Sequence, residues 1–563
     1  MPDPRRRARV GDTRLSNQNL SSVLSPPEEP SATAPPRFGS AWAPLSHPVF
    51  RMLWAVWLTA NIGMWMTDVA AAWLMTTLTP SPIMVALVQT ASTLPVFLLG
   101  LPSGALADIL DRRRYFMVTQ FWVAVVALAL CATILAGAMT PPVLLALTFA
   151  NGIGLAMRWP VFAAIVPELV PRLQLPAALA LNGIAMNASR IAGPIIAGAL
   201  IAGAGSAYVF VLNALMSVAA GFAILRWKHE QKPSSLPGER FLGAIRVGVQ
   251  YVNQSARMRT VLLRVSVFFV QSTALLALLP LVARQLHEGN AATYTVLLAS
   301  MGGGAIVVAM FLPRLREAMT RDALVRNGTL LQTAAMVMVS LAPNDYVAAP
   351  AMVLAGAAWI SVANSITVSA QLGLPDWVRA RGMSIFQMAI MGSSAFGAAL
   401  WGQVATLTTV STSLQVAAAA GALAMVLTRR FKLDAVADED LSPAHVWKPP
   451  VTAVPVDPHE GPVMVTIDYR IEPAQAAEFQ KVMQESRRSR LRHGALSWEL
   501  FRDTSDPARY IEYFIDESWV EHLRRFDRVT AGDVALRERR LAFHIGDGPP
   551  LVSRYIAEPL SHR

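Results

Sequence analysis

Thiols are all but absent from this 563-residue chain, whose single cysteine is Cys131. One thiol excludes an internal disulfide framework and a thiolate-rich metal centre, and its place inside an apolar block makes it a packing residue. Charge is scarce as well. Asp, Glu, Lys and Arg make up 15% of the residues, against about 25% in an ordinary soluble domain. No Gly-x-x-x-x-Gly-Lys-Ser/Thr loop occurs, which excludes the usual phosphate cradle of a machine driven directly by ATP. Nothing in the residue pattern calls for a metal or another cofactor. The first fifty residues also lack the apolar core of a cleavable signal peptide. With Arg5, Arg6, Arg7 and Arg9 ahead of a Pro- and Ser-rich stretch, residues 1–45 are expected to form a disordered cytosolic tail.

What the chain has in excess is apolar surface: 54% of its residues are hydrophobic. Blocks of about 20 such residues, the length that crosses a hydrocarbon core about 30 Å thick, recur from Leu53 to Leu427. They fall into two groups of six: 52–76, 82–106, 115–137, 142–166, 177–202 and 205–226, then 260–284, 292–313, 322–342, 346–370, 381–405 and 408–428. The most polar internal segment, Arg226 to Arg259, separates the groups and contains an amphipathic stretch from Phe241 to Val252. The pattern predicts an all-α polytopic membrane protein of twelve transmembrane helices in two six-helix bundles (46–226 and 260–430, joined by a linker at 227–259). A second linker, 431–461, leads to a small α+β domain at 462–563.

The formal charge of +11 reads as topology rather than as a nucleic-acid surface. The joints after the second, fourth, eighth and tenth blocks carry Arg112, Arg113 and Arg114, then Arg172, then Arg314, Arg316 and Arg321, then Arg379 and Arg381. The alternate joints are nearly bare of Lys and Arg: the one after the seventh block has only Arg284, and the ninth's has Asp345. Cationic loops are retained in the cytoplasm, so both termini and the C-terminal domain are expected to be cytosolic, on a chain spanning the inner (plasma) membrane.

Between the second and third blocks the chain reads Gly104-Ala-Leu106-Ala-Asp108-Ile-Leu-Asp111-Arg112-Arg113-Arg114. A Gly, a Leu two residues on, an Asp two beyond that and then a basic pair resemble the signature loop of the major facilitator superfamily. In physical terms Gly104 would let helices approach closely, Asp108 would cap or pair across the bundle, and Arg112 and Arg113 would meet the anionic leaflet, together forming a cytoplasmic latch. The sequence departs from that pattern at Ile109, where an Arg is common, and at Asp111, where a second Gly is usual. In block five, Ala180, Ser189, Gly193, Pro194, Ala197 and Gly198 resemble the small-residue and Gly-Pro signature of the exporting branches, with Ser189 and Ala197 in place of two glycines. The Arg that the family carries early in its fourth helix is absent, its expected place holding Thr148 and Phe149. From the opening Pro48-Val-Phe50-Arg51-Met-Leu-Trp54 onward, residues 45–430 are similar to the secretion-effector branch that contains siderophore exporters of the enterobactin type. That resemblance implies efflux of a small organic molecule by alternating access, with a proton as the expected coupling partner.

Ionisable groups inside a bilayer cost about 2.5–3.5 kcal/mol each at the helix centre and so demand a reason. Asn61 and Asp68, seven residues apart, share nearly one face of the first helix, which aims a polar stripe at a cavity. Asp68 is the first candidate for a proton- or substrate-binding carboxylate; the alternative is a solvated position just inside the periplasmic interface. Arg190, with Asn187 three residues earlier, sits mid-block with no local acid, and Asp68 or an anionic substrate would supply its partner. A carboxylated or hydroxylated ligand would suit the forked guanidinium. Arg158 is a weaker candidate, whereas Arg264 is near enough to its helix start to snorkel. Gln271, Asn364 and Gln387 line the second half of the cavity or make packing hydrogen bonds; the sequence leaves both open. Trp159 and Trp359, each followed by Pro, acid and Arg, hint at a repeat between the halves.

After residue 462 the pattern changes to strand (Val463 to Ile471), helix (Pro473 to Arg492), two strands (Ser497 to Arg502 and Arg509 to Ile515) and a helix from Ser518 running to Phe526 or on through Arg539. This order resembles the ferredoxin-like domains that dimerise into an α/β barrel, antibiotic-biosynthesis monooxygenases among them. The resemblance implies self-association or ligand sensing. His493, Trp498, His522 and His544 would line its small-molecule pocket, and no catalytic residue is assigned. A competing reading makes the chain a membrane-anchored monooxygenase-like enzyme or sensor whose activity lies in this domain.

Overall fold

The structure, a computed structural model, describes residues 42–227, 241–286, 289–434, 440–444, 450 and 452–558. The expected tail before residue 42 and much of both linkers lie outside the described residues. Every apolar block is a helix, with ends within a few residues of those expected. The first group comprises α1 (Pro48–Leu78), α2 (Pro82–Ile109), α3 (Arg112–Leu135), α4 (Pro141–Leu169), α5 (Leu175–Gly203) and α6 (Ser206–Leu225). The amphipathic linker stretch is α7 (Phe241–Gln254). The second group comprises α8 (Ala256–Gln285), α9 (Ala291–Ala318), α10 (Arg321–Ser340), α11 (Asp345–Leu372), α12 (Asp376–Leu407) and α13 (Val410–Leu427).

Local chemistry accounts for these ends. Proline opens α1, α2 and α4, where its missing N–H is no loss. Side chains of Asp111, Asn290, Thr320, Asn344 and Thr409 cap α3, α9, α10, α11 and α13, accepting backbone N–H bonds that would otherwise be unmade. The outer face of α3 presents Val118, Trp122, Val125 and Leu128 to the surroundings, a helical stripe of apolar side chains that suits lipid rather than water. Among the described residues, 10 helices are long and apolar enough to cross a membrane. The two bundle helices outside that set are α1 and α10, of 31 and 20 residues, which carry Asn61 and Asp68, and Asp322, Arg326, Asn327 and Gln332.

Short joints make successive helices antiparallel. One end of the bundle therefore carries α7 and the C-terminal domain (the domain side), and the other carries the ends of α1, α5 and α8 (the far side). The core is divided accordingly. At the far side a single apolar cluster spans both groups, joining Met66, Val85, Leu130 and Phe210 to Leu278, Leu297, Met352 and Leu414. At the domain side the groups keep separate cores: Phe50, Trp57, Phe116 and Phe162 in one, Tyr251, Phe268, Ile366 and Phe386 in the other.

The C-terminal domain is an antiparallel sheet in the order β2-β3-β1-β4. Its elements are β1 (Val463–Arg470), α14 (Ala476–Arg492), β2 (Ser497–Arg502), β3 (Arg509–Asp516), α15 (Trp519–Asp527), α16 (Ala531–Leu541) and β4 (Leu551–Ile556). Val463, Val465, Ile467 and Tyr469 of β1 turn inward, as period-two alternation requires. Two expectations are corrected. A helix running through Arg539 is broken at Thr530, whose side chain and backbone pair with Asp533 in a capping box that starts α16. The strand β4 was not anticipated; it pairs with β1 from Val463↔Ile556 to Asp468↔Leu551. The domain rests on the bundle. Arg246 of α7 pairs with Glu517 at 2.7 Å, Gln250 donates to the Ala495 carbonyl at 3.2 Å, and the Arg528 guanidinium lies 5.0 Å over the ring of Trp377 in the first turn of α12.

Candidate functional site

The polar groups expected inside the bundle gather where the two halves meet, in two arrangements. Asp68, half-buried on α1, accepts from the Ser92 hydroxyl of α2 at 2.9 Å. The cation whose charge acts on it is Arg158; of the two partners expected for Arg190, the Asp68 carboxylate is not the one it meets among the described residues. Helix α4 packs beside α1 and α2 and carries Arg158 inward, whereas α5 turns Arg190 toward the second half. Arg158 is 3% exposed; it donates to the Ala60 carbonyl at 3.1 Å and lies 5.7 Å from the Trp57 ring centre. Tyr294 of α9, from the other half, stacks on Trp73 of α1 at 6.1 Å.

Arg190 forms the second arrangement. Its guanidinium lies 3.7 Å from the ring centre of Trp359 on α11 and 5.3 Å from that of Trp65 on α1, held between aromatics of both halves. Cation–π contact of this kind stabilises a desolvated guanidinium, while its in-plane N–H groups keep the fork that suits a carboxylate. Among the described residues no carboxylate pairs with it.

The two asparagines do not join these arrangements. Asn61 is fully buried and donates to the Trp57 carbonyl of its own helix at 2.7 Å, so it and Asp68 do not make one open stripe. Asn187 donates to the Gly183 carbonyl one turn back at 2.9 Å. In the second half Gln271 donates to Thr333 at 3.0 Å and Asn364 accepts from Arg316; both hydrogen bonds are within that half. A crevice of about 570 Å³ opens between α2, α8 and α12, lined by Thr90, Phe97, Ser266, Gly392, Ser393 and Phe396.

The signature loop is held within the first half. Arg112 pairs with Glu168 at the end of α4, and Arg113 donates to the last carbonyls of α6, those of Ile224 and Leu225. Asp111 accepts from the Arg114 N–H at 2.8 Å and so caps α3. The side chain of Asp108 lies outside the described residues. Gly104 is corrected: a Cβ there would meet open space, so it marks no close helix approach. Helix α2 is approached closely at Gly152 of α4, whose Cβ would come within 2.6 Å of the Ser92 carbonyl, and at Gly402 of α12, whose Cβ would crowd the Ala86 Cβ. Gly193 does what its type suggests, since a Cβ there would come within 2.5 Å of the Trp65 Cβ and would crowd the α1 backbone; Pro194 follows it inside α5.

Trp65, Trp359, Ser92 and Tyr294 were not singled out as site residues by the sequence. Trp65 carried a signal, standing four residues after Asn61 and three before Asp68. The others belong to separate helices whose approach no local pattern encodes. In the C-terminal domain His493 and His522 line one pocket, Trp498 bonds Glu512 at 3.0 Å, and His544 accepts from the Arg470 N–H at 3.0 Å, away from that pocket.

Two groups of six helices meeting around buried polar groups are the architecture of the major facilitator transporters. The nucleoside transporter NupG, 10% identical, superposes with a TM-score of 0.56 over 68% of this chain and 98% of its own. A bacterial homologue of the human lysosomal transporter Spinster, in an inward-facing and unoccupied conformation, is 14% identical, with a TM-score of 0.54 over 69% of this chain and 96% of its own. At such identities the likeness is one of fold. The chain belongs to the transmembrane secretion effector family, whose profile matches residues 39–561 and so runs through the C-terminal domain. A curated relative, the staphyloferrin A transporter of Staphylococcus aureus (strain NCTC 8325 / PS 47), is 20% identical over 254 residues, 45% of this chain. The match spans 64% of that relative's length.

Proposed function

We propose that the protein exports a small organic molecule, a siderophore, drug or other secondary metabolite, across the inner membrane by alternating access coupled to protons. The observation that carries this reading is the division of the core: the halves share one apolar cluster at the far side and keep separate ones at the domain side. Two rigid bundles that separate at one end while closed at the other are what rocking around a midplane site requires. All twelve bundle helices cross the bilayer in this reading, with both termini and the C-terminal domain in the cytosol, so the open end faces the cytosol and loads there. Arg190, framed by Trp65 and Trp359, holds an anionic part of the substrate, while Asp68 carries the proton. Asp108, Arg112, Arg113, Gly193 and Pro194 make up the moving cytosolic and helix-contact parts. The relative named for staphyloferrin A supports the siderophore class.

The C-terminal domain has the ferredoxin-like order, and we take it to self-associate through the sheet face turned from its helices, where Met464, Phe501, Leu551 and Tyr555 are exposed. Everted vesicles screened for uptake of siderophores and lipophilic drugs, with and without an imposed proton gradient, test the transport reading. Wild-type protein accumulates its substrate only with the gradient, and Asp68→Asn loses that dependence. Unaltered gradient-driven uptake by Asp68→Asn would remove Asp68 from the mechanism. Truncation after Asp434 separates this reading from an anchored enzyme, because a transporter keeps part of its uptake without the domain.

A further inference from the structure

One space between the halves is not explained by the two polar arrangements. The crevice of about 570 Å³ takes one wall, α2, from the first half and two, α8 and α12, from the second, and its lining residues lie near the middle of each helix. Leu94, Phe97, Val270 and Phe396 make it apolar, while Thr90, Ser266 and Ser393 bring hydroxyls. Among the described residues that line it, none is ionisable.

The seam beside the crevice is closely fitted. Thr90 donates to the Ala395 carbonyl at 2.9 Å, and a Cβ at Gly392 would come within 2.6 Å of the Phe97 ring. With Thr90 engaged there, the hydroxyls of Ser266 and Ser393 are left without a hydrogen bond among the described residues. The rings keep free surface as well, Phe97 being 39% and Phe396 61% exposed. A mostly apolar cavity of this size with a few placed polar groups is the usual form of a small-molecule site. A charged group would lose its hydration there and find no counter-charge, so whatever enters is uncharged at that end. Two phenyl rings favour a planar ring over an alkyl chain, because aromatic pairs gain from offset or edge-on contact. Hydroxyls donate and accept, so Ser266 and Ser393 suit a polar substituent on such a ring.

We propose that the crevice binds an uncharged aromatic ring system between Phe97 and Phe396, with Ser266 and Ser393 bonding its polar substituent, and that it receives the aryl part of the transported molecule. The second clause rests on the transport reading above and narrows it: with an anionic group at Arg190, the substrate class is an aryl-bearing organic anion. The two places adjoin through α8. Phe269, on the turn between Ser266 and Val270, meets Trp359 edge-on at 6.0 Å, and Trp359 is the ring over which Arg190 lies.

Photolabelling of the detergent-purified full chain with 4-benzoylbenzamide, a neutral probe of two rings, tests the site. Label accumulates saturably on the peptides that carry Phe97 and Phe396, and 2-naphthamide competes at a concentration at least tenfold below that of its aliphatic counterpart, decanamide. Ser393→Leu fills the crevice and lowers labelling at least tenfold with a wild-type melting profile. Should that variant not fold, Ser266→Ala/Ser393→Ala, which removes the two hydroxyls, loses at least threefold. Equal competition by decanamide would make the crevice a seat for lipid chains and overturn the proposal. Label that is unsaturable, that lies on other helices, or that persists in full in the folded variants would overturn it as well. Everted vesicles test the second clause separately. Vesicles labelled to saturation lose gradient-driven uptake, and uptake at the full rate by labelled vesicles would take the transported molecule out of the crevice. Absence of uptake before labelling would overturn the transport reading and the second clause with it, while the site itself stands or falls on the labelling.

Discussion

Glu512 shows how one buried residue ties the C-terminal domain to pH. Burial by itself raises its pKa, but Arg490 and Arg540 beside it, with the Trp498 donor, more than offset this and hold it at about 2 against an ordinary 4.5. An unfolded chain takes up this proton near pH 4.5 and the folded domain only near 2. The stability contributed is therefore complete above pH 4.5 and lost as pH falls from there toward 2, amounting to about 3 kcal/mol at roughly 1.4 kcal/mol per pKa unit. Thermal unfolding of the purified protein between pH 6 and pH 3, followed by calorimetry, should show this acid slope. Glu512→Gln should make it shallower, the rest of the slope coming from Asp516, Asp533 and Glu521, whose pKa values are also held down, and should lower stability at neutral pH by about 3 kcal/mol because two guanidiniums lose their counter-charge; a slope that the substitution leaves unchanged would take Glu512 out of it. At this scale the sequence was a partial guide. Asp68, Arg158 and Arg190 were legible because an ionisable residue stands out in an apolar block, but their partners were not. Trp359 reaches Arg190 from α11 and Tyr294 reaches Trp73 of α1 from α9, and no spacing along the chain reports an approach between separate halves.

Helices were the most legible elements because proline, charge and polar caps punctuate them. The joint before α3 shows what such a cap does. Asp111 occupies a position where the resembling family usually has glycine, and its carboxylate accepts the Arg114 N–H at 2.8 Å. An N-cap of this kind is worth about 1 kcal/mol, and asparagine serves nearly as well as aspartate. Asp111→Ala should therefore lower the stability of the purified protein by about 1 kcal/mol while Asp111→Asn leaves it within a few tenths. Equal losses in both variants would show that the charge, rather than the cap, is what matters there. Short elements were harder to read. The break between α15 and α16 rests on Thr530 and Asp533 completing one turn, and β4 is a six-residue strand after Pro549 and Pro550 that becomes a strand through its pairing with β1. Gly104 was misjudged for a related reason, since a glycine in a helix marks either a close approach or open space, and only the neighbouring helix decides between them.

For the whole molecule, the consequence to test is that the far side opens when the domain side closes. Across the far side Arg284 donates to the Thr76 carbonyl, Ile83 N–H donates to Thr406 at 3.1 Å, and Gly198 packs on Thr295. These contacts join the halves where they share a core, and moving a substrate outward requires all of them to part. The chain's single, buried cysteine makes the experiment direct. In a Cys131→Ser background, Thr76→Cys and Arg284→Cys together place two thiols on opposite halves, to be joined by bis-methanethiosulfonate linkers of graded length, since the Arg284 side chain spans the gap to the Thr76 carbonyl. Joining them should stop uptake into everted vesicles, and reduction with dithiothreitol should restore it; either single cysteine treated alike should transport normally. Uptake that continues at its full rate with the far side joined would mean that the halves do not separate there, and the shared apolar core would then be a fixed hinge rather than a gate.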